Sequence, residues 1–209
     1  VPPLVTFEGI EGSGKSTHLR RLGARLRAAG HDVVETREPG GTAAGAALRR
    51  LLLGSEALPL TPLAELFLYL ADRTQHVAEV IRPALAAGRI VLCDRFSDST
   101  VVYQGHARGL DVAAVQALDA RARDGVAPAL TFLLDCPVAE GLRRARERRA
   151  PGDRFEREPA AFHERVLAGF RALAAAEPAR FCVLDATVSP DVVHARIVAE
   201  VERRLGIRS

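Results

Sequence analysis

The chain has 209 residues, 48% hydrophobic and 26% charged, values that exclude a disordered or fibrous protein and fit one globular domain, taken as residues 1–209, with a sizeable core. A formal net charge of +3 suits a small anionic substrate and is only a weak argument for nucleic acid, which is not expected as a partner. The three cysteines (Cys93, Cys136, Cys182) are scattered in apolar runs, no run approaches the ~20 apolar residues of a membrane span, and the first residues lack signal-peptide regions; the expectation is a cytoplasmic protein with buried free thiols, no membrane association and no cysteine metal cage.

Residues 4–7 read as a short buried strand. Gly9-Ile10-Glu11-Gly12-Ser13-Gly14-Lys15-Ser16 follows, with Thr17 next, and fits G-x-x-x-x-G-K-[ST]. Residues 17–29 then read as a helix, with Leu19, Leu22 and Leu26 at helical spacing. A strand before and a helix after is the context this phosphate-cradling loop requires. Its backbone N–H groups point inward and the helix N-terminus adds partial positive charge. Lys15 is placed to reach the β- and γ-phosphates of a bound nucleotide, and the Ser16 hydroxyl to ligate Mg²⁺. Chance produces the pattern in roughly one chain in a hundred of this length at average composition. Of the 29 lysines and arginines Lys15 is the only lysine, so a sequence that writes its positive charge as arginine keeps a lysine here.

Residues 32–36 form a second expected strand, opened by the Gly30-His31 break, and Arg37-Glu38-Pro39-Gly40-Gly41-Thr42 reads as a loop. A short helix is expected over 46–53. Thr61-Pro62-Leu63-Ala64-Glu65 supplies a capping threonine, a proline at the first helical position and an acid in the first turn. The long helix it starts runs to about residue 87, with a bend near Pro83. Residues 90–93 form a strand that delivers Asp94-Arg95 to its C-terminal end. A helix over 111–125, an apolar strand over 130–134, a helix from Pro137 to about 148 and an irregular stretch at 150–153 come next. A helix over 159–176, a strand over 181–184 and a helix over 190–205 close the chain. This alternation predicts an α/β fold, a single domain whose five-stranded parallel sheet is covered by helices on both faces. Ligands of such sheets sit beyond the strand C-termini. The Gly9 loop, residues 37–42, Asp94-Arg95, Asp135 and Asp185 should therefore line one cleft.

The loop alone does not separate a kinase from a GTPase or a motor ATPase. The guanine-reading N-K-x-D motif is excluded by the absence of a second lysine. Motor ATPases end an apolar strand in Asp-Glu, whereas the comparable run here ends in Asp94-Arg95. An arginine there can fork onto a phosphate monoester, and the carboxylate can serve Mg²⁺ or the arginine itself; the plain alternative is a surface ion pair.

Phe7-Glu8-Gly9 through Thr17, residues 37–42, Asp94-Arg95-Phe96-Ser97-Asp98-Ser99-Thr100 and Val102-Tyr103-Gln104-Gly105 together resemble bacterial thymidylate kinases. So do Tyr69, Arg73-Thr74-Gln75-His76 and Asp153-Arg154-Phe155-Glu156, in the family's order over nearly the whole chain. The resemblance implies a P-loop kinase, acting as a homodimer, that transfers the γ-phosphoryl group of ATP to dTMP. On that resemblance Tyr69 stacks on thymine, where the family more often has Phe, and Arg73 bonds the thymine carbonyl. Arg95 holds the dTMP phosphate and Glu11 accepts from the sugar 3′-hydroxyl. Glu38, Pro39, Ser99, Thr100, Tyr103 and Gln104 complete the acceptor site. Ser16 and Asp94 serve the metal, and Asp185-Ala186-Thr187 lies beside adenine.

Residues 143–149 hold five arginines, too many for one face of a helix, so part of the set is solvated charge. Phosphoryl transfer is catalysed by positioning and by positive charge around the transferred group, where one added arginine is worth about 10³–10⁵ in rate. One branch of the family carries that arginine in the phosphate loop; here the slot is Gly12. The resemblance then assigns the task to an arginine-rich lid of about 143–156, with Arg144, Arg146, Arg148 and Arg154 at its positions and Arg148 as the residue whose loss should slow turnover most. The competing readings are another small P-loop nucleoside monophosphate or metabolite kinase, and a nucleotide-dependent nucleic-acid-binding module. The latter calls for aromatics among the arginines, and residues 143–149 contain none.

Overall fold

The structure is a computed structural model that describes residues 2–54, 59–147 and 154–208. The first strand, β1 (Leu4–Glu8), is buried along its length and runs through the loop into α1 (Lys15–Ala28), which turns Leu19, Leu22 and Leu26 inward. β2 (Val33–Arg37) follows, then α2 (Ala43–Leu53), whose start is fixed by the Thr42 hydroxyl accepting from the Gly45 N–H at 2.9 Å. The cap lies three residues earlier than the apolar spacing predicts, because Ala43-Ala44-Gly45 carries no periodic signal of its own. α3 (Pro62–His76) is capped by Thr61 as expected.

The bend expected at Pro83 takes another form. α3 continues through a π-helical turn, Val77–Ile81, into α4 (Arg82–Ala86), and Pro83 stands in the first turn of α4. A proline lacks the N–H and crowds the carbonyl four residues back, and the wider turn absorbs both effects. β3 (Ile90–Asp94) leads to α5 (Ser97–Thr100) and a second π-helical stretch, Val101–Ala107. The sequence assigns no element there: the run is short, its period is neither 3.6 nor 2, and six of its seven residues are buried. α6 (Val112–Arg123), β4 (Leu130–Asp135), α7 (Val138–Glu147), α8 (Ala160–Ala176), β5 (Phe181–Asp185) and α9 (Pro190–Leu205) complete the order, with a 3₁₀ turn at Phe155–Arg157 before α8.

All strand pairs are parallel and the sheet order is β2-β3-β1-β4-β5. β1 is thus central, and the chain moves to one side of it for β2 and β3 and to the other for β4 and β5. The crevice at this reversal lies above the C-terminal end of β1, where the phosphate loop begins. The buried strand side chains and the helices on the two faces form two hydrophobic clusters, the larger around Phe7, Leu22, Phe132 and Phe170. Cys93, Cys136 and Cys182 are buried and free. No helix among the described residues is long and apolar enough to cross a membrane.

Candidate active site

Two adjoining clefts open at the C-terminal end of the sheet and meet at Glu11, Glu38, Arg49 and Arg95. The larger, about 1720 Å³, is walled by residues 11–17, Asp94, Arg144 and the stretch from Ala186 to Val193. The smaller, about 490 Å³, is lined by Glu11, Glu38, Pro39, Tyr69, Arg73, Arg95, Ser99, Thr100, Tyr103 and Gln104, with Arg49, Leu53, Phe96 and Phe155. Every acceptor residue expected from sequence therefore falls in one cavity.

The loop itself comprises Gly9, Ile10, Glu11, Gly12, Ser13 and Gly14 ahead of Lys15, Ser16 and Thr17. Gly12 has φ +72°, and a Cβ there would lie 2.0 Å from the Gly141 carbonyl oxygen of α7. The reverse contact is also too close for a side chain, since a Cβ on Gly141 would lie 2.6 Å from the Glu11 carbonyl oxygen. Loop and helix thus touch backbone to backbone, which only glycine allows.

Lys15 Nζ donates to the carbonyls of Gly9 (3.0 Å) and Ile10 (2.7 Å). Burial, with Arg95 nearby, pulls its pKa from 10.5 down to about 8 against the attraction of Asp94, Glu11 and Glu8. The Ser16 hydroxyl donates to Asp94 Oδ2, so the end of the loop and the end of β3 are joined by two hard oxygen donors on the wall of the larger cleft.

Arg95 links the two clefts. Its backbone has φ +67°, a left-handed conformation rare for a residue with a side chain. It is held by the Arg95 N–H to the Phe7 carbonyl at 3.0 Å and by the next N–H, of Phe96, to Glu8 Oε1 at 2.8 Å. Its guanidinium donates to Ser99 Oγ (3.1 Å) and Glu11 Oε1 (2.9 Å) and lies 5.0 Å from the centroid of the Tyr103 ring, while the Tyr103 hydroxyl donates to the same Glu11 oxygen at 2.6 Å. Ser99 Oγ in turn donates to Glu8 Oε2 at 2.6 Å. Burial and the neighbouring Asp98 raise the Glu8 pKa from 4.5 to about 7, against the pull of Arg95. Burial would raise Glu11 as well, but Arg95, His163, Lys15 and Tyr103 outweigh it and hold that carboxyl well below the usual range.

Arg73, 1% exposed, forms the floor of the smaller cleft. Nε and Nη2 donate to Glu38 Oε2 at 2.8 and 2.7 Å, and Nη1 donates to Thr100 Oγ1 at 2.8 Å and Asp119 Oδ1 at 2.6 Å. A guanidinium has five N–H donors, so these contacts leave one Nη2 hydrogen for a ligand. Gln104 Nε2 donates to Glu65 Oε1 at 2.8 Å. Glu65 is only a first-turn acid by sequence, yet it is 1% exposed and also binds Arg108 and Arg154. Nothing local in the sequence distinguishes such an inward acid from an ordinary capping one.

The arginines of the expected lid separate. Arg144 lines the larger cleft, donating to the Ala186 carbonyl at 2.8 Å and to Glu140 Oε1 at 2.6 Å. Arg143 pairs with Glu140 and Glu147 on the exposed face of α7, and Arg146 is exposed and lines neither cleft. Arg154 is on the acceptor side, bonded to Glu65 and 5.3 Å from the Phe155 ring centroid. Arg148 and Arg149, with residues 150–153, lie outside the described residues.

The profile of the thymidylate kinase family matches residues 7–197. The chain belongs to that family. It is 60% identical over 195 residues to the thymidylate kinase of Solidesulfovibrio magneticus, covering 90% of this chain and 93% of that one. The thymidylate kinase of Desulfovibrio desulfuricans is 54% identical over 207 residues, with 96% and 95% covered. Among solved structures, thymidylate kinase from Ehrlichia chaffeensis superposes with a TM-score of 0.79 at 33% identity, covering 96% of this chain and 98% of that one.

Proposed function

We propose that the protein transfers the γ-phosphoryl group of ATP to dTMP, releasing dTDP and ADP, with donor in the larger cleft and acceptor in the smaller. The observation that carries this reading is the junction itself: Glu11 of the phosphate loop and Arg95 of β3's C-terminal end face both cavities and bond each other. In the reaction an oxygen of the acceptor phosphate forms a bond to the γ-phosphorus while the bond to the ADP oxygen breaks. Lys15 and the loop N–H groups hold the donor phosphates, and Arg95 holds the attacking phosphate against its own repulsion from them. Arg144, already in the donor cleft, adds positive charge there, a role shared with Arg146, Arg148 or Arg154 if these approach the γ-phosphate. Tyr69 supplies a ring face for the base, Arg73 its remaining hydrogen to a base carbonyl, and Glu11 an acceptor for the sugar hydroxyl.

The Ser16 hydroxyl and Asp94 carboxylate suit a Mg²⁺ ion, which takes few protein ligands and completes its shell from phosphate and water. When bound, such an ion neutralises charge on the donor phosphates.

Coupled measurement of ADP release should show strong stimulation by dTMP and little by AMP, GMP, UMP or shikimate; no response to dTMP would sink the reading. In the same assay Tyr69→Ala should raise KM for dTMP about ten-fold and leave that for ATP near the parent value, as expected for loss of one aromatic stack on a base. Equal weakening of both would reduce Tyr69 to a helix-packing residue.

A homodimer is supported by the exposed Leu51 of α2, Leu63 and Phe67 of α3 and Leu118 of α6, since α2 and α6 both pack on α3. Phe67→Glu should shift the mass seen by light scattering from two chains to one; an unchanged dimer would move the interface elsewhere. Three buried free thiols support a reducing, cytoplasmic setting.

A further inference from the structure

His163, on α8, is fully buried, and neither of its ring nitrogens has a hydrogen-bond partner. A histidine enclosed in this way is costly to keep, and most buried polar side chains are satisfied. Nδ1 lies 3.4 Å from Oε2 of Glu11. That oxygen is itself buried and without a partner, although Oε1 of the same carboxylate accepts from both Arg95 and Tyr103. At 3.4 Å the ring is close enough to help hold the Glu11 carboxyl low, yet neither atom has a well-aligned hydrogen-bond partner. The ring has little freedom to turn elsewhere, because the Phe162 ring stands edge-on to it with centroids 5.7 Å apart.

We infer that His163 is the positioning residue for Glu11: its Nδ1–H takes Oε2 when the acceptor settles, and so fixes the plane of the carboxylate that receives the sugar hydroxyl. This rests on the reading of Glu11 as the sugar contact. Oε2 is inaccessible in this structure, so His163 acts through Glu11 and does not touch the acceptor. The arrangement ties α8 to the phosphate loop at the one loop side chain that serves both clefts.

The test compares dTMP with its 3′-deoxy analogue in the parent, His163→Phe and His163→Gln. Phe keeps a ring of similar size and removes the donor, whereas Gln keeps a donor near the same place. The parent should show a higher KM for the analogue, because the hydroxyl's bond to Glu11 is gone. In His163→Phe the KM for dTMP should rise about ten-fold, the loss expected for a hydrogen bond to a charged group, while KM for ATP stays near the parent value. The penalty for removing the hydroxyl should shrink in that variant, since a loose Glu11 gains less from it, and His163→Gln should restore most of the discrimination. If His163→Phe weakens both acceptors equally, the ring only packs and the inference is overturned while the kinase reading stands. If the parent phosphorylates dTMP but does not distinguish the two acceptors, Glu11 is not the sugar contact and the inference falls with that assignment. A parent that does not phosphorylate dTMP at all overturns the functional reading first.

Discussion

Lys15→Met should lower the turnover of dTMP by about 10²–10³-fold without unfolding the protein, the scale on which a single preorganised charge or donor at a transferring group acts. Lys15 is the only lysine of the chain, and its ammonium is closed on the Gly9 and Ile10 carbonyls within the loop. Donor phosphates would offer it a full negative charge in place of those carbonyl dipoles, and methionine retains the stem but not the charge. The fold should tolerate the change because the charge is a burden to it: burial has brought the pKa from 10.5 down to about 8. The sign of the pH effect follows. Below about 8 both folded and unfolded chains hold the proton and the penalty of burying it is fully present. Between about 8 and 10.5 the folded chain releases the proton first, so the unfolded state binds more protons and stability rises with pH. Thermal unfolding of the parent from pH 7.5 to 10 should include this rising contribution, and Lys15→Met should lack it. A variant that keeps its turnover would show that the loop amides alone hold the donor.

Arg95→Ala should raise KM for dTMP by about a hundred-fold and also lower the unfolding midpoint, in contrast to Lys15→Met. Removing one partner of a buried ion pair strands the other charge, at a cost of about 3–5 kcal/mol. Here Glu11 loses its guanidinium partner, and the buried Glu8 loses the nearby positive charge that opposes its raised pKa. Alanine must also adopt φ +67°. Arg95→Gly should therefore lose acceptor affinity to the same extent yet unfold at a higher temperature than Arg95→Ala, by the ~1 kcal/mol that a side chain in the left-handed region costs. Arg95→Lys should recover only part of the affinity, since an ammonium cannot fork onto a phosphate. Differential scanning calorimetry beside steady-state kinetics separates these effects. Parent-like dTMP affinity in Arg95→Ala would place the acceptor phosphate elsewhere.

The loop and all five strands were legible in the sequence because each is signalled locally, by a spaced motif or by an apolar run between breakers, whereas the ten residues that line the smaller cleft were singled out only by the family resemblance. Strand ends differ from expectation by one residue, since Glu8, Asp94, Asp135 and Asp185 are polar yet still pair in the sheet. What was not legible depends on contacts distant in the chain. The helical stretch from Ser97 to Ala107 is stabilised by packing on α8, 50 residues and more away. His163 gains its meaning only when α8 approaches Glu11, and Glu65 only when Arg108, Gln104 and Arg154 converge on it. The arginine run was legible as charge but not as geometry. Arg144 and Arg146 are two residues apart, so a helix sends one to the donor cleft and the other to solvent.

The contact between Gly12 and Gly141 constrains how this enzyme could change. A loop-borne arginine would need more than one substitution at position 12, because the obstacle there is the main chain of α7 and not a side chain that could be trimmed. Moving α7 away would displace Arg144, the arginine already in the donor cleft. A side chain at position 12 and the present seat of Arg144 in the larger cleft are therefore alternatives, since the first requires α7 to move and the second requires it to stay.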